Sequence, residues 1–400
     1  MTDYLTSHFP GIGGLIKEDI DDFFVEEIPL YLPCGEGEHL YLTIEKRGLT
    51  TFALMQQLAR ELGIRERDMG YAGLKDARAT TRQTISLPGV SLQQIENLQI
   101  DRVTVLNAAF HRNKLRPGHL AGNRFRIRIR EAKPDSEEQA RDILGVLEQV
   151  GVPNFFGQQR YGSLGNSHLI GHALLRKDFA GAVGLILGDP QKIEEPRWRE
   201  GASRFHRGDL AGALEVLPGR MRDERRLLHG LQDGLSAQQA VMRLPQKLLR
   251  LYLSAYQSHL FDRVVAMRLS SLEILWQGDL AYKHDNGACF LVEDPAAEQG
   301  RAERLEVSPS GPMFGFKMTK AQGQAGILET ALLDKEGLSL EDFRLGGGLN
   351  MDGERRPLRI PLQDTAVEGE GPDLIISFVL PKGAYATSVL REVMKVEQPS

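Results

Sequence analysis

A lysine and an aspartate stand side by side in a short polar segment between two apolar stretches, at Lys75 and Asp76. The segment 70–76 reads Gly-Tyr-Ala-Gly-Leu-Lys-Asp and continues with small and hydroxyl-bearing residues at 77–81. Such residues allow a tight loop, and they can hydrogen-bond a carboxylate. A carboxylate held in this way acts as a nucleophile or as a general base. From these residues alone, an exposed surface loop is the alternative interpretation.

The same glycine and lysine residues also suggest a phosphate-binding loop. That motif requires four residues between its first glycine and Gly-Lys, followed by Ser or Thr for Mg²⁺. In this sequence Leu74 separates Gly73 from Lys75, and Asp76 occupies the hydroxyl position. The motif is not satisfied, which argues against an ATP-dependent enzyme.

Other groups of reactive residues are weaker candidates. His168 and His172 are four residues apart, but no third ligand accompanies them, so packing or surface roles are expected rather than a metal site. Ser258 and His259 are neighbours in sequence and cannot face each other on a helix, which argues against a hydrolase. Two cysteines are too few for a disulfide framework, which favours a reducing cytoplasm. No targeting signal or bilayer-spanning apolar stretch is visible, so no membrane association is expected.

Positive charge is concentrated in one segment of an otherwise acidic chain. The formal net charge is -5, which is a mild argument against a nucleic-acid partner. Between 111 and 130, however, the chain has no acidic residue. The basic residues of this segment are Arg112, Lys114, Arg116, Arg124, Arg126, Arg128 and Arg130. A local basic surface of this kind favours selective RNA binding.

Short strands and helices surround these residues. Alternating apolar positions predict strands at 39–46 and 124–130, and the second strand has arginines on one face. A helix is predicted directly after the first of these strands, capped by Thr50 or Thr51 and ended by Gly63. Short strands at 69–72 and 84–87 would hold the loop of Asp76 between them. A capping box formed by Ser136 and Gln139 predicts the start of the next helix.

The 400 residues are enough for two domains. From 154 onward the chain is rich in helix-forming patterns, and a strand is predicted at 374–380 near the C-terminus. A single strand cannot form a domain, so the C-terminal segment is expected to join the N-terminal sheet. The middle of the chain would then be an insertion.

Five segments, in the same order, resemble the sequence blocks of the TruD family of pseudouridine synthases. Together they extend over nearly the whole chain. They are Asp-Phe-Phe-Val-Glu-Glu at 22–27, Gly-Tyr-Ala-Gly-Leu-Lys-Asp-Ala-Arg-Ala-Thr-Thr-Arg-Gln at 70–83, Gly-Asn-Arg-Phe at 122–125, Asn-Phe-Phe-Gly-Gln-Gln-Arg-Tyr-Gly at 154–162 and Leu-Pro-Lys-Gly-Ala-Tyr-Ala-Thr-Ser-Val-Leu-Arg at 380–391.

The resemblance implies an α+β fold. It implies a pseudouridine-synthase catalytic domain at 1–153 and 350–400, with a mixed, mainly antiparallel sheet flanked by helices. A helix-rich α/β TRUD domain would be inserted at 154–349. The implied activity is that of an isomerase, which converts uridine 13 of tRNA to pseudouridine after flipping the base. No cofactor and no metal are expected, the partner is tRNA, and the enzyme is expected to be a cytoplasmic monomer.

The resemblance also assigns roles to individual residues. Asp76 is the expected catalytic carboxylate, with Lys17 as its cationic partner and adjacent Lys75 as the second choice. Phe125 is expected to stack on the flipped base, and the alternative from its alternating strand is a residue of the core. The other expected residues of the active site are Phe23, Glu27 and Asn123. From their charge and position, the residues expected to contact RNA phosphates are Arg124, Arg126, Arg128, Arg130 and Arg160. A solvated strand face is the alternative interpretation of these arginines.

Overall fold

The computed structural model describes residues 4–396, except for the side chains of Gln158 and Gln159. Within these residues the chain forms two compact units. One combines 4–152 with 360–396, and the other is Pro153–Arg359. Residues 1–3 and 397–400 of the expected catalytic domain lie outside the described residues. Helices and strands both contribute to the fold, so the α+β class is confirmed.

The helices and strands follow one another in mixed order along the chain. The strands of the described residues are β1 Phe23–Pro29, β2 His39–Arg47, β3 Gly70–Tyr71, β4 Thr80–Pro88, β5 Val103–His111, β6 Leu120–Ile129, β7 Val152–Pro153, β8 Leu280–Lys283, β9 Cys289–Leu291, β10 Val307–Met313, β11 Glu354–Pro357, β12 Arg359–Ile360, β13 Gln363–Glu370 and β14 Asp373–Pro381. The α-helices of the described residues are α1 Thr51–Leu62, α2 Leu92–Glu96, α3 Ser136–Val150, α4 Ser167–Leu175, α5 Phe179–Leu187, α6 Pro196–His206, α7 Leu210–Val216, α8 Arg222–Gln232, α9 Ala237–Met242, α10 Gln246–Met267, α11 Pro295–Glu303, α12 Gly323–Lys335 and α13 Ala386–Met394.

The first unit is built on one sheet with the strand order β13-β14-β6-β1-β4-β2-β5. The short strand β3 pairs with β4 beside this path. The pair β1 and β4 is parallel, and the other neighbouring pairs are antiparallel. The sheet is therefore mixed and mainly antiparallel, as expected. Strand β14 from the C-terminal segment lies beside β6, with Phe378 opposite Phe125.

The alternating sequence of β6 separates the two faces of this sheet. Phe125 is 7% exposed, and Ile127 and Ile129 are fully buried. The arginines between them lie on the opposite face and are exposed or half-buried. The strands predicted at 39–46 and 124–130 are confirmed as β2 and β6, and β6 begins earlier, at Leu120.

Helix α1 follows β2 and packs on it. The Thr50 side chain accepts a hydrogen bond from the main-chain N of Ala53 at 3.0 Å, and Gly63 ends the helix with a φ of 67°. Leu54 and Leu58 are buried with Leu42 of β2 in one apolar cluster. The predicted helix and both of its ends are confirmed.

Two local predictions were wrong. Helix α3 begins at Ser136, but its N-cap is Asp135, so Ser136 lies inside the first turn and cannot form the capping box with Gln139. The Ser136 hydroxyl instead donates to the Lys133 carbonyl. Strand β4 begins at Thr80 rather than at 84, because its first residues pair in parallel with β1. The loop of Asp76 therefore extends over 72–79.

The second unit contains most of the helices, from α4 to α12, and a sheet with the order β11-β10-β8-β9. Its longest helix is Gln246–Met267. Because β11 pairs with β10, residues 354–357 belong to this sheet and not to that of the first unit. Among the described residues, no helix is both long enough and apolar enough to cross a bilayer.

Candidate active site

Asp76 lies in the loop between β3 and β4, and its carboxylate is held from two sides. Lys17 Nζ donates to Oδ2 in an ion pair, and the main-chain N of Arg78 donates to Oδ1 at 3.0 Å. The Asp76 side chain is 35% exposed, so solvent or a substrate can reach it. The structure thus provides an accessible carboxylate with a fixed orientation.

Lys17 is positioned by the segment that precedes β1. Main-chain hydrogen bonds of 2.9 and 2.8 Å join Leu15 to Arg130, and Lys17 follows two residues later. The φ of Lys17 is 61°, in the left-handed region that residues other than glycine seldom occupy. Its ammonium group lies 4.5 Å from the centre of the Phe23 ring. The ion pair and the aromatic contact therefore hold the cation at the carboxylate, against an unfavourable backbone conformation of Lys17.

The surroundings of Asp76 favour its ionised form. Burial by itself raises the pKa of this carboxyl group, but the hydrogen bonds from Lys17 and from the Arg78 main chain, together with the Lys17 charge, outweigh burial. The pKa of Asp76 is consequently lower than the usual value of 3.8. Near neutral pH the group is a carboxylate, as a nucleophile or a general base must be.

Lys75 does not pair with Asp76, although it is its neighbour in sequence. Lys75 Nζ donates to Oε2 of Glu27 at 2.8 Å, and the two side chains are 5% and 2% exposed. The other carboxylate oxygen of Glu27 accepts from the main-chain N of Thr84 at 3.2 Å. This buried pair joins the loop to β1 and β4.

Two further hydrogen bonds hold the loop, and the first of them is donated by the main chain of Lys75. The N of Lys75 donates to Thr51 Oγ1 at 2.9 Å, and Thr51 Oγ1 donates to Gln83 Oε1 at 3.0 Å. Thr51 is the first residue of α1, and Gln83 lies in β4. The loop of Asp76 is therefore fixed to both a helix and a strand.

Lys46 is a residue of the site that the sequence analysis missed. Its side chain is fully buried, and its Nζ donates to the carbonyl of Leu49 and, at 3.3 Å, to the carbonyl of Asp76 itself. Burial lowers the pKa of Lys46 to about 8, against the opposing effect of the Asp76 charge. The strand period contained a signal for it, because Lys46 shares the inward face of β2 with Leu42 and Ile44.

Phe125 packs in the core of the first unit. Its ring centroid lies 5.3 Å from that of Phe378 and 6.3 Å from that of Phe23. All three rings are nearly buried, and the Phe23 ring also contacts Lys17. The aromatic residues therefore form a continuous wall from the core to the Lys17–Asp76 ion pair.

Asn123 lies on the same face of the sheet as Phe125 and opposite Glu27. Its Oδ1 is buried without a hydrogen-bond partner among the described residues, and so are Thr81 Oγ1 and Gln83 Nε2. Thr81 and Gln83 are almost fully buried, whereas Asn123 is half-buried. No hydrogen bond joins the Asn123 side chain to the described residues of the Asp76 loop. Buried polar atoms without partners are uncommon in folded proteins, and a ligand is one explanation for them.

The arginines of β6 and its continuation have different surroundings. Arg130 makes two hydrogen bonds of 2.8 Å to the buried carboxylate of Asp22. Arg128 contacts Asp22, Glu370 and Asp373. Arg124 pairs with Asp364. Arg126, by contrast, is exposed and has no ion pair among the described residues.

Arg160 is engaged inside the second unit. Its Nε donates to Ser258 Oγ at 3.0 Å, a terminal nitrogen donates to Ser254 Oγ, and its guanidinium lies 5.6 Å from the centre of the Phe156 ring. These contacts fix the side chain and use two of its donors.

The rival histidine site of the sequence analysis is a packing arrangement. The His168 ring stacks on His259 at 4.5 Å, and the His172 ring stacks on Tyr256 at 4.9 Å. The packing interpretation is therefore confirmed. Within residues 4–396, no three His, Cys, Asp or Glu side chains are grouped in a way that would hold a metal ion.

Comparison with known proteins gives one consistent result. A family model described as tRNA pseudouridine synthase D (TruD) matches residues 1–393. The tRNA pseudouridine synthase D of Syntrophotalea carbinolica is 62% identical over 397 residues, which cover 99% of this chain and 100% of the relative. The enzyme of the same name from Thermus thermophilus is 42% identical over 397 residues, which cover 98% and 92% of the two chains.

A solved structure is also similar over its whole length. It is the crystal structure of a putative tRNA pseudouridine synthase D (TruD) from Methanosarcina mazei, with a TM-score of 0.86 and 28% sequence identity. The similarity covers 99% of this chain and 96% of that chain. The resemblance seen in five short blocks therefore extends to the complete fold.

Proposed function

The chain belongs to the TruD family of tRNA pseudouridine synthases, and from that premise we propose that Asp76 is the carboxylate on which its reaction depends. The enzyme isomerises uridine in tRNA to pseudouridine. This reaction breaks the bond between ribose C1′ and uracil N1, turns the base, and joins C1′ to C5. The C5 proton is released to solvent, and N1 takes up a proton. One positioned carboxylate can begin it, by attack at C1′ or by removal of a ribose proton.

The observation that carries the proposal is the ion pair between Asp76 and Lys17. Either role of Asp76 requires an ionised carboxylate that a substrate can reach. The Lys17 ammonium keeps the pKa of Asp76 low in a partly buried site, while about a third of the Asp76 side chain stays exposed. The buried Lys75 is already neutralised by Glu27, and the ion-pair partner of Asp76 is Lys17.

The proposed base pocket lies between this ion pair and β6. A uridine must leave its stack before the enzyme can reach C1′, and an aromatic ring can replace part of the lost stacking. We assign this place to the wall formed by Phe23 and Phe125, with some movement of the nearly buried Phe125 ring. The partnerless Oδ1 of Asn123 would then accept a hydrogen bond from the N3–H of uracil.

The substrate is proposed to be uridine 13 of tRNA, and the two units are proposed to be the catalytic domain and its TRUD insertion. Arg126 is the first choice among the five predicted RNA-binding arginines, because the other four already pair with carboxylates or serine hydroxyls. A cytoplasmic monomer completes the proposal, and sedimentation of the purified protein tests the oligomeric state.

The decisive experiment compares Asp76→Asn with Asp68→Asn. Asp68 is a matched control, since its side chain is also 35% exposed and is ion-paired, to Arg65. Single-turnover tritium release from tRNA that contains 5-tritiated uridine is expected to be lost in Asp76→Asn and kept in Asp68→Asn. Binding of tRNA should be retained by both variants. Undiminished release by Asp76→Asn would refute the proposed role.

A further inference from the structure

A cavity of about 480 Å³ lies in the first unit, and none of the residues proposed to hold the base lines it. Its walls are residues that follow β1, the last residue of β5 and the loop between β5 and β6. None of its described lining residues is acidic. Its aromatic and basic lining residues are Tyr31, His111, Lys114, Arg116 and His119.

The aromatic side of this cavity is held in place by contacts among its own residues. Tyr31 Oη and His119 Nδ1 are hydrogen-bonded at 2.7 Å. The Tyr31 ring stacks on that of His111 with 5.2 Å between centroids, and His111 Nδ1 accepts from the main-chain N of Cys34 at 3.3 Å. The wall is therefore formed before any ligand binds, which lowers the entropic cost of binding.

The two cations of the cavity have no carboxylate partner among the described residues. Lys114 Nζ donates to the carbonyl of Arg67 at 2.8 Å, which orients the ammonium group without neutralising it. The Arg116 side chain is exposed and has no hydrogen bond or ion pair within residues 4–396. Arg112, two residues before Lys114, pairs with Glu36. The positive charges of Lys114 and Arg116 are therefore not neutralised by a carboxylate among the described residues, whereas the charge of nearby Arg112 is.

The cavity is connected to the loop of Asp76 through the main chain. The N of Gly118 donates to the carbonyl of Ala72 at 2.8 Å, and Leu115 packs with Ala72 in a small apolar cluster. The N of Leu115 also donates to Ser86 Oγ at 3.0 Å. Ala72 is four residues before Asp76, so the two lie within ~14 Å of each other. The loop that lines the cavity is therefore joined directly to the segment that leads into Asp76.

We propose that this cavity binds the sugar–phosphate backbone of the tRNA substrate, a few nucleotides from the uridine that reacts, with Lys114 and Arg116 as the phosphate contacts. Phosphates are the groups of RNA that basic side chains meet most often, and such contacts set the register of the nucleic acid on the protein. The inference rests on the proposed function only in its choice of tRNA as the partner. The main RNA contacts are then made by the loop that precedes β6 and not by the arginines of β6, most of which are already ion-paired.

The test uses the double variant Lys114→Gln/Arg116→Gln of the full chain, with Arg112→Gln as the control on the same loop. Equilibrium binding of unmodified tRNA is measured by fluorescence anisotropy between 50 and 200 mM salt. The double variant is expected to raise Kd by roughly tenfold and to lower the slope of log K against log salt by about 1–2. Arg112→Gln should change Kd less than about twofold, because that charge is already paired.

The rate at saturating tRNA separates this inference from the proposed role of Asp76. Single-turnover tritium release by the double variant should stay close to the wild-type rate once tRNA is saturating, since no residue of the reaction is altered. Wild-type affinity in the double variant would overturn the cavity inference and leave the role of Asp76 untouched. Equal weakening by Arg112→Gln would also overturn it, because general charge would then explain the effect. An acidic peptide that competes as well as RNA would assign the cavity to a different partner.

Discussion

Lys17 and Asp76 form an ion pair although they are 59 positions apart in the sequence. The pair brings the segment before β1 to the loop before β4. It leaves the carboxylate partly open to solvent while the lysine contacts the Phe23 ring. The same cation thus lowers the pKa of the proposed catalytic group and joins it to the aromatic wall.

Lys17→Met should make the reaction sensitive to acid. Without the cation the pKa of Asp76 rises, because only main-chain hydrogen bonds from Arg78 and Ala77 then oppose the effect of burial. The Lys17–Asp76 ion pair stabilises the fold at pH values above the pKa that Asp76 has in the unfolded chain. This stabilisation is lost as pH falls through the lower pKa that Asp76 has in the folded protein. Single-turnover rates at pH 4.5–8 should be level in the wild type and fall on the acid side in Lys17→Met. Lys17→Arg keeps the charge and should restore the level profile; identical profiles for all three proteins would contradict the role of Lys17.

The buried pair of Glu27 and Lys75 should matter for stability more than for chemistry. Lys75→Met leaves the carboxylate of Glu27 buried without its cation, which costs about 3–5 kcal/mol of unfolding free energy. The double variant Glu27→Gln/Lys75→Met removes both charges and keeps an acceptor for the main-chain N of Thr84. Urea unfolding should show that the double variant recovers most of the loss. A double variant no more stable than Lys75→Met would mean that the pair is not the cause.

Asn123→Ala tests whether the partnerless oxygen serves the substrate. This change removes no hydrogen bond to the described residues, so the urea midpoint should move little. The single-turnover rate at saturating tRNA should fall roughly 10- to 100-fold, as expected for one lost hydrogen bond in a desolvated site. Asn154→Ala is the contrast, since Asn154 is hydrogen-bonded to Pro357 and Arg356. That variant should lose stability; a similar loss in Asn123→Ala, with an unchanged rate, would make Asn123 structural.

The sequence predicted periodic features well and long-range pairing poorly. Alternation placed β2 and β6, together with the basic face of β6, because side chains on a strand point to opposite sides in turn. The alternation contained no information on the carboxylates that neutralise the basic face of β6. Asp364 and Asp373 come from strands about 240 positions later in the chain.

At the candidate site, local sequence likewise did not predict which groups the lysines contact. Lys75 is the neighbour of Asp76, yet adjacent side chains in an extended loop point apart, and its partner is Glu27, 48 positions away. Family resemblance indicated Lys17, whereas local pattern did not. Lys46 was on the buried face of a correctly predicted strand, but its acceptors are main-chain carbonyls that no residue pattern reveals.

Arg126 and Arg130 should respond differently to loss of charge. Arg126 is exposed and has no carboxylate partner among the described residues, so Arg126→Gln should weaken tRNA binding and lower the salt slope by about 1. Arg130→Gln leaves the buried carboxylate of Asp22 with one partner fewer, so its urea midpoint should fall while tRNA affinity changes less. Parallel anisotropy titrations and urea unfolding check this. The reverse ranking in tRNA affinity would show that Arg130 exchanges Asp22 for phosphate.

Lys46→Met should alter the pH dependence of stability in one defined window. The folded protein holds Lys46 with a pKa of about 8, below the usual 10.5, because burial disfavours the charged form. Between these values the unfolded chain binds the proton more tightly, so Lys46 makes the wild type more stable as pH rises. The difference in unfolding free energy between the wild type and Lys46→Met should shift by about 3 kcal/mol in favour of the wild type from pH 7.5 to 10.5. Urea unfolding at intervals of one pH unit measures it. A difference that does not vary with pH would mean that Lys46 keeps an ordinary pKa, and that its ammonium does not rest buried against the carbonyl of Asp76.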